Sequence, residues 1–136
     1  MANIELKAYK ISELTFKNDV NGKVQLHFNN KISHNVRYSG SKFCEATLTV
    51  EVYDNEKPDT INLKITIKGA FDILTDVQKE FIHVDTFKEL YPMVKTIIAT
   101  ISGAAGIPPI IIKNFDIEQQ EIYRVEVDPK KRPSAD

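Results

Sequence analysis

Two stretches of strictly alternating residues constrain the fold of this chain more than any other feature. In residues 43–53 the apolar side chains between Phe43 and Tyr53 fall on even positions, and in residues 61–73 all apolar side chains but Ala70 fall on odd positions. A period of two is typical of a β-strand with one buried face and one exposed face. The segment DNEKPD at 54–59 is rich in turn formers, so we predict a β-hairpin. Gly69 interrupts the second apolar face and predicts a bulge or the close approach of another backbone.

A third segment with the same period lies upstream. Its apolar side chains are on even positions and the odd positions between them are polar, which predicts another strand. The pair Asn29 and Asn30 is expected to break this strand. The apolar residues that define it are Val24, Leu26, Phe28, Ile32, Val36 and Tyr38.

The N-terminal segment, residues 4–16, alternates less regularly. Lys10 and Ser12 interrupt its even apolar positions, while Tyr9 and Ile11 occupy odd ones. A long edge strand that is strongly twisted or bulged produces such a pattern. We therefore predict a fourth strand at an edge of the sheet.

A helix follows the strands, and its start is ambiguous between Thr86 and Pro92. A proline inside the helix would remove the backbone hydrogen bond to Lys88, so we favour a short turn followed by a main helix with Pro92 in its first turn. Spacing of three and four residues then places one apolar stripe towards the core. The residues of this stripe are Met93, Val94, Ile97, Ile98, Ile101, Ala104 and Ala105.

The opposite face of this helix is unusual because its residues are small and uncharged, with Lys95 the only charge nearby. Small side chains let another backbone come close, so we predict that this face is buried against a partner subunit. The alternative, an exposed face with few charges, stays open. The residues concerned are Thr96, Ala99, Thr100, Ser102 and Gly103.

Composition narrows the class of protein. The 136 residues are 42% hydrophobic and 27% charged, with 18 basic against 19 acidic side chains, which indicates one compact, nearly neutral domain. We therefore expect neither nucleic-acid binding nor membrane insertion. No signal-like segment is present, and the single cysteine, Cys44, falls on a predicted core face, so we expect a cytoplasmic protein with a structural thiol.

The candidate catalytic residues are His27, His34 and His83, the last two positions from Asp85. His27 and His34 have opposite parity on one predicted strand, whereas His83 and Asp85 would share a side of an extended segment. A lone His-x-Asp pair is weak evidence for catalysis or metal binding. With no phosphate-binding loop, zinc signature or nucleophile elbow, we expect no enzyme, no metal and no cofactor.

Five segments in order resemble the SecB family of export chaperones. They are ISELTF (11–16), KGAFDI (68–73), ELYPMVKTIIATIS (89–102), GIPPIII (106–112) and NFDI (114–117). No single motif is specific, but their order and spacing match nearly the whole chain. The resemblance implies an α+β fold in which one long and one short helix pack on one side of a four-stranded antiparallel sheet, assembled as a dimer or a dimer of dimers.

The resemblance also implies apolar grooves that hold unfolded polypeptides, because a non-polar surface binds many sequences by area. By position, the groove residues are Leu26, Phe28, Ile107, Ile110, Ile111, Ile112, Phe115 and Ile117. The oligomer interface would include Thr96, Ala99, Thr100 and Gly103. Gly106 is expected to end the long helix, and alternation within 110–112 directs Ile111 away from its two neighbours.

Two departures from the family pattern bear on function. Export members present acids and a leucine to the SecA motor, and the matching positions here are Glu13, Lys17, Asn62 and Lys64, of which only the first is acidic. Docking to SecA by that surface is therefore doubtful. Residues 117–127 fit either a short helix or a strand, and we expect a single domain over 1–127 with a disordered tail at 128–136.

Three functional hypotheses follow from the resemblance and the residues. The first is a SecB-like, ATP-independent holdase for unfolded or pre-secretory polypeptides. The second is a dedicated chaperone of one client, such as an antitoxin. The third, from another class, is a domain that binds a small apolar ligand between the sheet and the helix.

Overall fold

The computed structural model describes residues 2–19, 27–55 and 60–106. It contains four strands and one helix in the order β1 (Ile4–Asn18), β2 (Phe28–Tyr38), β3 (Phe43–Asp54), β4 (Ile61–Ile73) and α1 (Lys79–Ala104). All neighbouring strands are antiparallel, and the sheet order β1-β4-β3-β2 leaves β1 and β2 at the edges. The predicted α+β fold, with its antiparallel sheet and long helix, is confirmed. The second, short helix falls outside the described residues.

The core lies between α1 and one face of the sheet, called here the inner face. Alternation in β3 and β4 directs their apolar side chains to this face, as the sequence predicted, and β3 pairs with β4 as a hairpin. Burying one such side chain contributes about 1.5–3 kcal/mol, so the inner face dominates the stability of the domain. The fully buried apolar side chains of this core, at 0% exposure and contributed by β3, β4 and α1, are Cys44, Ala46, Leu48, Val50, Leu63, Ile65, Ile67, Phe71, Leu90, Val94 and Ile98.

Two irregularities in β1 explain its mixed alternation. The pairing of β1 with β4 shifts between Leu6 and Ala8 and again between Ile11 and Glu13, so Lys7 and Ser12 are extra residues in β1. Each extra residue reverses the parity of the strand. All the large apolar side chains of β1 consequently point to the inner face, and the predicted bulged edge strand is confirmed. These side chains belong to Ile4, Leu6, Tyr9, Ile11, Leu14 and Phe16.

The predicted break at Asn29 and Asn30 is wrong. Strand β2 runs through both asparagines, which pair with Tyr53 and Val52 of β3. Asparagine has a low intrinsic preference for strands, but the ladder supplied by β3 satisfies the backbone at both positions. The side chain of Asn29 in addition donates a hydrogen bond from Nδ2 to Oδ1 of Asn55, at 2.8 Å.

The predicted start of the helix is also wrong. Helix α1 begins at Lys79, after Gln78, and passes through Pro92 without ending. An interior proline costs roughly 3 kcal/mol. The turns before it bury Ile82 and Phe87 against the sheet, and that burial offsets the cost.

The stripe predicted to face the core is correct in its centre and wrong at its end. Val94 and Ile98 are fully buried, whereas Ala104 and Ala105 are exposed because the helix ends there. Ser102, assigned to the opposite face, is fully buried, and its hydroxyl donates to the carbonyl of Ile98 at 2.8 Å. Gly106 follows with φ of +92°, the left-handed residue predicted after the helix.

Candidate functional site

Phe28 is the one predicted groove residue among the described residues. It opens β2, pairs with Asp54 and is 40% exposed. The remaining predicted groove residues lie outside the described residues, namely Leu26, Ile107, Ile110, Ile111, Ile112, Phe115 and Ile117. Of the predicted groove, the structure therefore describes only Phe28 and the end of the sheet to which it belongs.

Hydrogen bonds fix the backbone at this sheet end. Oδ1 of Asp54, a residue only 5% exposed, accepts the backbone N–H of His27 at 2.8 Å. The N–H of Asn55 donates to the carbonyl of His27 at 2.7 Å, and the N–H of Asp19 donates to the carbonyl of Thr60 at 2.6 Å. Asp19, His27, Asn55 and Thr60 therefore all lie at this end of the sheet. Phe28 is displayed from a hydrogen-bonded backbone next to His27.

A second apolar surface was not recognised from the sequence. Tyr9, Ile11 and Leu14 point to the inner face of β1 yet are 55%, 41% and 44% exposed. We call these three residues the β1 apolar strip. The strip lies on an edge strand whose outer backbone groups pair with no other strand of the described chain. Tyr9 and Ile11 are at odd positions and Leu14 is at an even one, so simple alternation would place them on opposite faces. The extra residue at Ser12 brings all three to the same face.

The face of α1 predicted to meet a partner subunit is largely uncovered within one chain. Thr96, Thr100 and Gly103 are exposed and Ala99 is half-buried. The hydroxyl of Thr100 donates to the carbonyl of Thr96 at 2.8 Å, so it needs no external partner. The surface is thus smooth and uncharged, as expected for close helix packing.

The four residues assigned to motor docking share the face of the sheet turned away from α1, called here the outer face. In the register of β1 and β4, Lys17 lies opposite Asn62, and Glu13 lies opposite Thr66, two residues from Lys64 on the same face. The Nδ2 group of Asn62 donates to Oε2 of Glu51 at 2.8 Å. The fold therefore brings these four positions together, with two lysines and a single carboxylate among them.

The histidines form a packing cluster. His34 is fully buried and its Nε2 lies 3.0 Å from Oγ1 of Thr86. Because that hydroxyl donates its one proton to the carbonyl of Ile82 at 2.9 Å, it accepts the Nε2–H of His34. The ring of His83 contacts that of His34 edge-on, with 4.8 Å between centroids. These contacts join β2 to α1.

The His83–Asp85 pair does not adopt the extended geometry that the sequence suggested. Both residues lie in α1, where side chains two positions apart do not face each other. Oδ2 of Asp85 instead accepts a hydrogen bond from Nδ2 of Asn3 at 2.8 Å, which ties the helix to the start of β1. His27 is exposed at the far end of β2 from Tyr38.

Metal binding and thiol reactivity depend on how the histidine, cysteine and acidic side chains are placed in the described part of the chain. Among residues 2–19, 27–55 and 60–106, no group of three or more histidine, cysteine or acidic side chains is placed to hold a metal ion. Cys44 is fully buried, and desolvation raises the pKa of its thiol to about 11. A buried, protonated thiol is a poor nucleophile.

The space between the sheet and α1 is closed. A cavity large enough for a small ligand would leave accessible surface on its lining, yet Leu48, Ile65, Val94 and Ile98 have 0% exposure. This closed packing gives no support to an apolar ligand site beneath the described helix. Within the described residues, no helix is long and apolar enough to span a membrane.

Comparison with known proteins agrees with this geometry. No family model matches the chain. An uncharacterized protein of Methanocaldococcus jannaschii is 24% identical over 102 residues, covering 70% of this chain and 64% of that relative, so the match spans less than two thirds of the relative's length.

Among solved structures, the SecB-like chaperone Rv1957 of Mycobacterium tuberculosis, in complex with a ChAD peptide from the HigA1 antitoxin, superposes with a TM-score of 0.64. Its sequence is 10% identical, and the match covers 84% of this chain and 88% of that one. A protein of unknown function from Streptococcus agalactiae gives a TM-score of 0.45 at 13% identity, covering 82% and 97% of the two chains. The chain thus has a SecB-like fold, and the resemblance noted in the sequence is confirmed at the level of the fold.

Proposed function

We propose that this chain is a SecB-like chaperone that holds unfolded polypeptides without ATP. The observation that carries the proposal is a set of large apolar side chains left on the surface, including Phe28 and the β1 apolar strip, although core side chains such as Leu48 and Val94 are fully buried. Such a surface binds polypeptide by area, with little demand on sequence. Support also comes from the fold, which is shared with a chaperone captured with an antitoxin peptide.

The client surface in this proposal is the sheet end at Phe28 together with the isoleucines at 110–112. The test is suppression of aggregation of a chemically denatured reporter protein by the full-length chain, followed by light scattering. Replacement of Phe28 and of Ile110, Ile111 and Ile112 by serine should weaken suppression. The matched control is Phe81→Ser, which removes an aromatic ring that is 54% exposed at the start of α1. This part of α1 lies near Tyr38, at the opposite end of β2 from Phe28.

Equal suppression by the serine variants and the original chain, with unchanged oligomeric state, would overturn the proposed client surface. Equal loss in the Phe81→Ser control would show that any exposed apolar residue suffices. The absence of suppression by the original chain would count against the holdase itself.

The proposal includes assembly of the chain with a second copy. A long edge strand that displays apolar side chains and unpaired backbone groups favours pairing with another strand. The uncharged face of α1, with Thr96, Ala99, Thr100 and Gly103, offers a further contact for close packing. Light scattering coupled to size exclusion would measure the mass, and a strictly monomeric chain would contradict this part of the proposal.

A chaperone dedicated to one client, such as an antitoxin, is the second candidate. It is favoured by the antitoxin peptide bound to the structural neighbour and by Lys17 and Lys64 where motor-docking acids are expected. Co-purification of the tagged chain from its own cell separates the two. A single partner encoded nearby supports the dedicated form, whereas a broad set of unfolded precursors supports the general holdase.

A further inference from the structure

The charges on the outer face of the sheet are unevenly distributed. On the β2–β3 half, basic and acidic side chains lie directly opposite each other, as Lys31 opposite Glu51 and Arg37 opposite Glu45. Opposite charges at such positions attract across the strands. This half of the face is therefore electrostatically balanced.

The β1–β4 half is not balanced along its length, because the acids Glu5 and Asp72 lie opposite each other at one end and the lysines lie beyond them. Lys10 lies directly opposite Lys68, an arrangement in which like charges repel. Lys64 and Lys17 continue the row on the same face, and Glu13 is the one carboxylate among the four lysines. We call Lys10, Lys17, Lys64 and Lys68 the lysine row.

The lysine row has no ion-pair partner within the described residues. The ion pairs found there join Lys7 to Glu5 at 3.9 Å and to Asp72 at 4.0 Å, beyond the end of the row. Glu51 lies across from Lys64 and also accepts a hydrogen bond from Asn62, so it offsets part of the charge at that level of the row. Four lysines beside Glu13 and Glu51 still leave the row with net positive charge.

We propose that the lysine row binds an acidic polypeptide segment in extended conformation. Alternate residues on one face of a strand are roughly 7 Å apart, so the row extends over about 20 Å from Lys68 to the level of Lys17. The spacings between its lysines are multiples of that repeat. A peptide laid along β1 and β4, with carboxylates at alternate residues except at the level of Glu13 and Thr66, places its acids over the lysines.

The composition of this half of the face favours a polypeptide over other polyanions. No aromatic side chain of β1 or β4 points to the outer face, so stacking with the bases of a single-stranded nucleic acid has no platform. Ala8 and Ala70 are its only apolar residues, which leaves nothing to insert into a lipid surface. Glu13 repels a continuous chain of phosphates but tolerates a peptide whose charges are spaced.

The experiment measures binding of labelled probes to the full-length chain by fluorescence anisotropy. The principal probe is a peptide of about seven residues, matched to the length of the row, with glutamate at its first, fifth and seventh positions and serine elsewhere. The comparison probes are the same peptide with lysine in place of glutamate, an oligothymidylate of similar length and vesicles containing phosphatidylserine. The double variant Lys10→Gln with Lys17→Gln removes two exposed charges of the row.

The matched control, Lys31→Gln with Arg37→Gln, removes two exposed charges from the balanced half of the same face. We expect the acidic peptide to bind the original chain at low salt. Its affinity should be about fivefold lower for the row variant and should change less than about twofold for the control variant. Affinity should also fall as salt rises from about 50 to about 300 mM.

Three results would overturn the proposal. They are no binding of the acidic peptide at low salt, an equal loss of affinity in the control, and tighter binding of the oligothymidylate or the vesicles than of the peptide. Because the row lies on the face opposite the apolar surfaces, the holdase assay is expected to be unchanged in the row variant. Failure of the acidic-peptide test therefore leaves the proposed holdase function intact.

Discussion

His34 Nε2 lies 3.0 Å from Thr86 Oγ1, and both side chains are completely buried between β2 and α1. Since this hydroxyl also donates to the carbonyl of Ile82, one atom binds Nε2 of the imidazole and joins the sheet to the helix. The contact is a buried polar link between β2 and α1 within a mainly apolar core.

Replacing Thr86 with valine should destabilise the protein by about 1–3 kcal/mol, because the N–H of the buried imidazole loses its acceptor while the shape of the core is kept. The free energy of unfolding in urea measures the change. Thr86→Ser is the control, since it retains the hydroxyl and should preserve most of this hydrogen-bonding contribution. Equal stability of Thr86→Val and the original chain would show that the contact contributes nothing.

The glycine that interrupts β4 is explained by the side chains of Phe71 and Leu90, which pack against it. A Cβ at Gly69 would lie 2.8 Å from Cε1 of Phe71 and 3.0 Å from Cδ2 of Leu90. Gly69→Ala should therefore cost about 1–3 kcal/mol through overpacking. Unfolding in urea is again the measurement.

A double-mutant cycle identifies the cause of that cost. If the clash with Leu90 dominates, Gly69→Ala should cost less in a Leu90→Ala background, where the added methyl group has room. The same cost in both backgrounds would assign the effect to Phe71 or to the backbone instead.

Cys44 should resist labelling in the folded protein. Burial keeps the thiol protonated, with its pKa raised to about 11 from an ordinary value of 9.0. A thiol reagent at pH 8 should react with it only after unfolding, so the labelling rate should follow the population of open molecules. Rapid labelling under native conditions would contradict the buried position.

The same pKa shift predicts a loss of stability in alkaline solution. The unfolded chain releases the thiol proton at lower pH than the folded chain, so folding is disfavoured progressively as pH rises from 9.0 towards about 11. Comparing unfolding free energies of the original chain and Cys44→Ala across this range isolates the effect. The slope with pH should be shallower for Cys44→Ala, and equal slopes would exclude this contribution.

Assembly through β1 can be tested on its inner face. Substituting Tyr9 and Ile11 with serine removes two exposed apolar side chains, each worth about 1.5–3 kcal/mol when buried. The dissociation constant of the oligomer should rise by at least about tenfold in sedimentation experiments. Lys10→Ser, on the outer face of the same strand, is the control and should leave the mass unchanged.

Retention of the oligomer in the Tyr9 and Ile11 variant would exclude the β1 apolar strip as an interface. The uncharged face of α1 would then be the remaining candidate interface. Thr100→Lys tests it by the same sedimentation measurement, because a charge there opposes close helix packing.

Much of the fold was predictable because its strands alternate strictly. In β3 and β4 every inner position except Asp54, the last residue of β3, is apolar or glycine, so one register alone buries the apolar set, and the hairpin followed from the sequence. The start of α1 was missed for the opposite reason. Pro92 opposes a helix locally, and only the burial of Ile82, Phe87 and Leu90 against the sheet shows that the helix begins earlier.

The candidate surfaces also differ in whether the sequence predicted them. Phe28 was recognised from a family resemblance, and its exposure agrees with a binding role that is still a prediction. The β1 apolar strip was missed because the bulge at Ser12 is a property of strand pairing, and sequence parity separates residues that the bulge brings to one face. The lysine row was missed because charge balance on a sheet depends on which strands are neighbours.

The sequence by itself determined which faces of β3 and β4 are buried, since period-two alternation directs side chains before any strand has a partner. It also determined the residue that follows the helix, Gly106, because positive φ is a local property. Tertiary structure alone decided the sheet order, the parity of β1 and the length of α1. Each of these depends on contacts between residues distant in the chain, whose burial energy outweighs local preference.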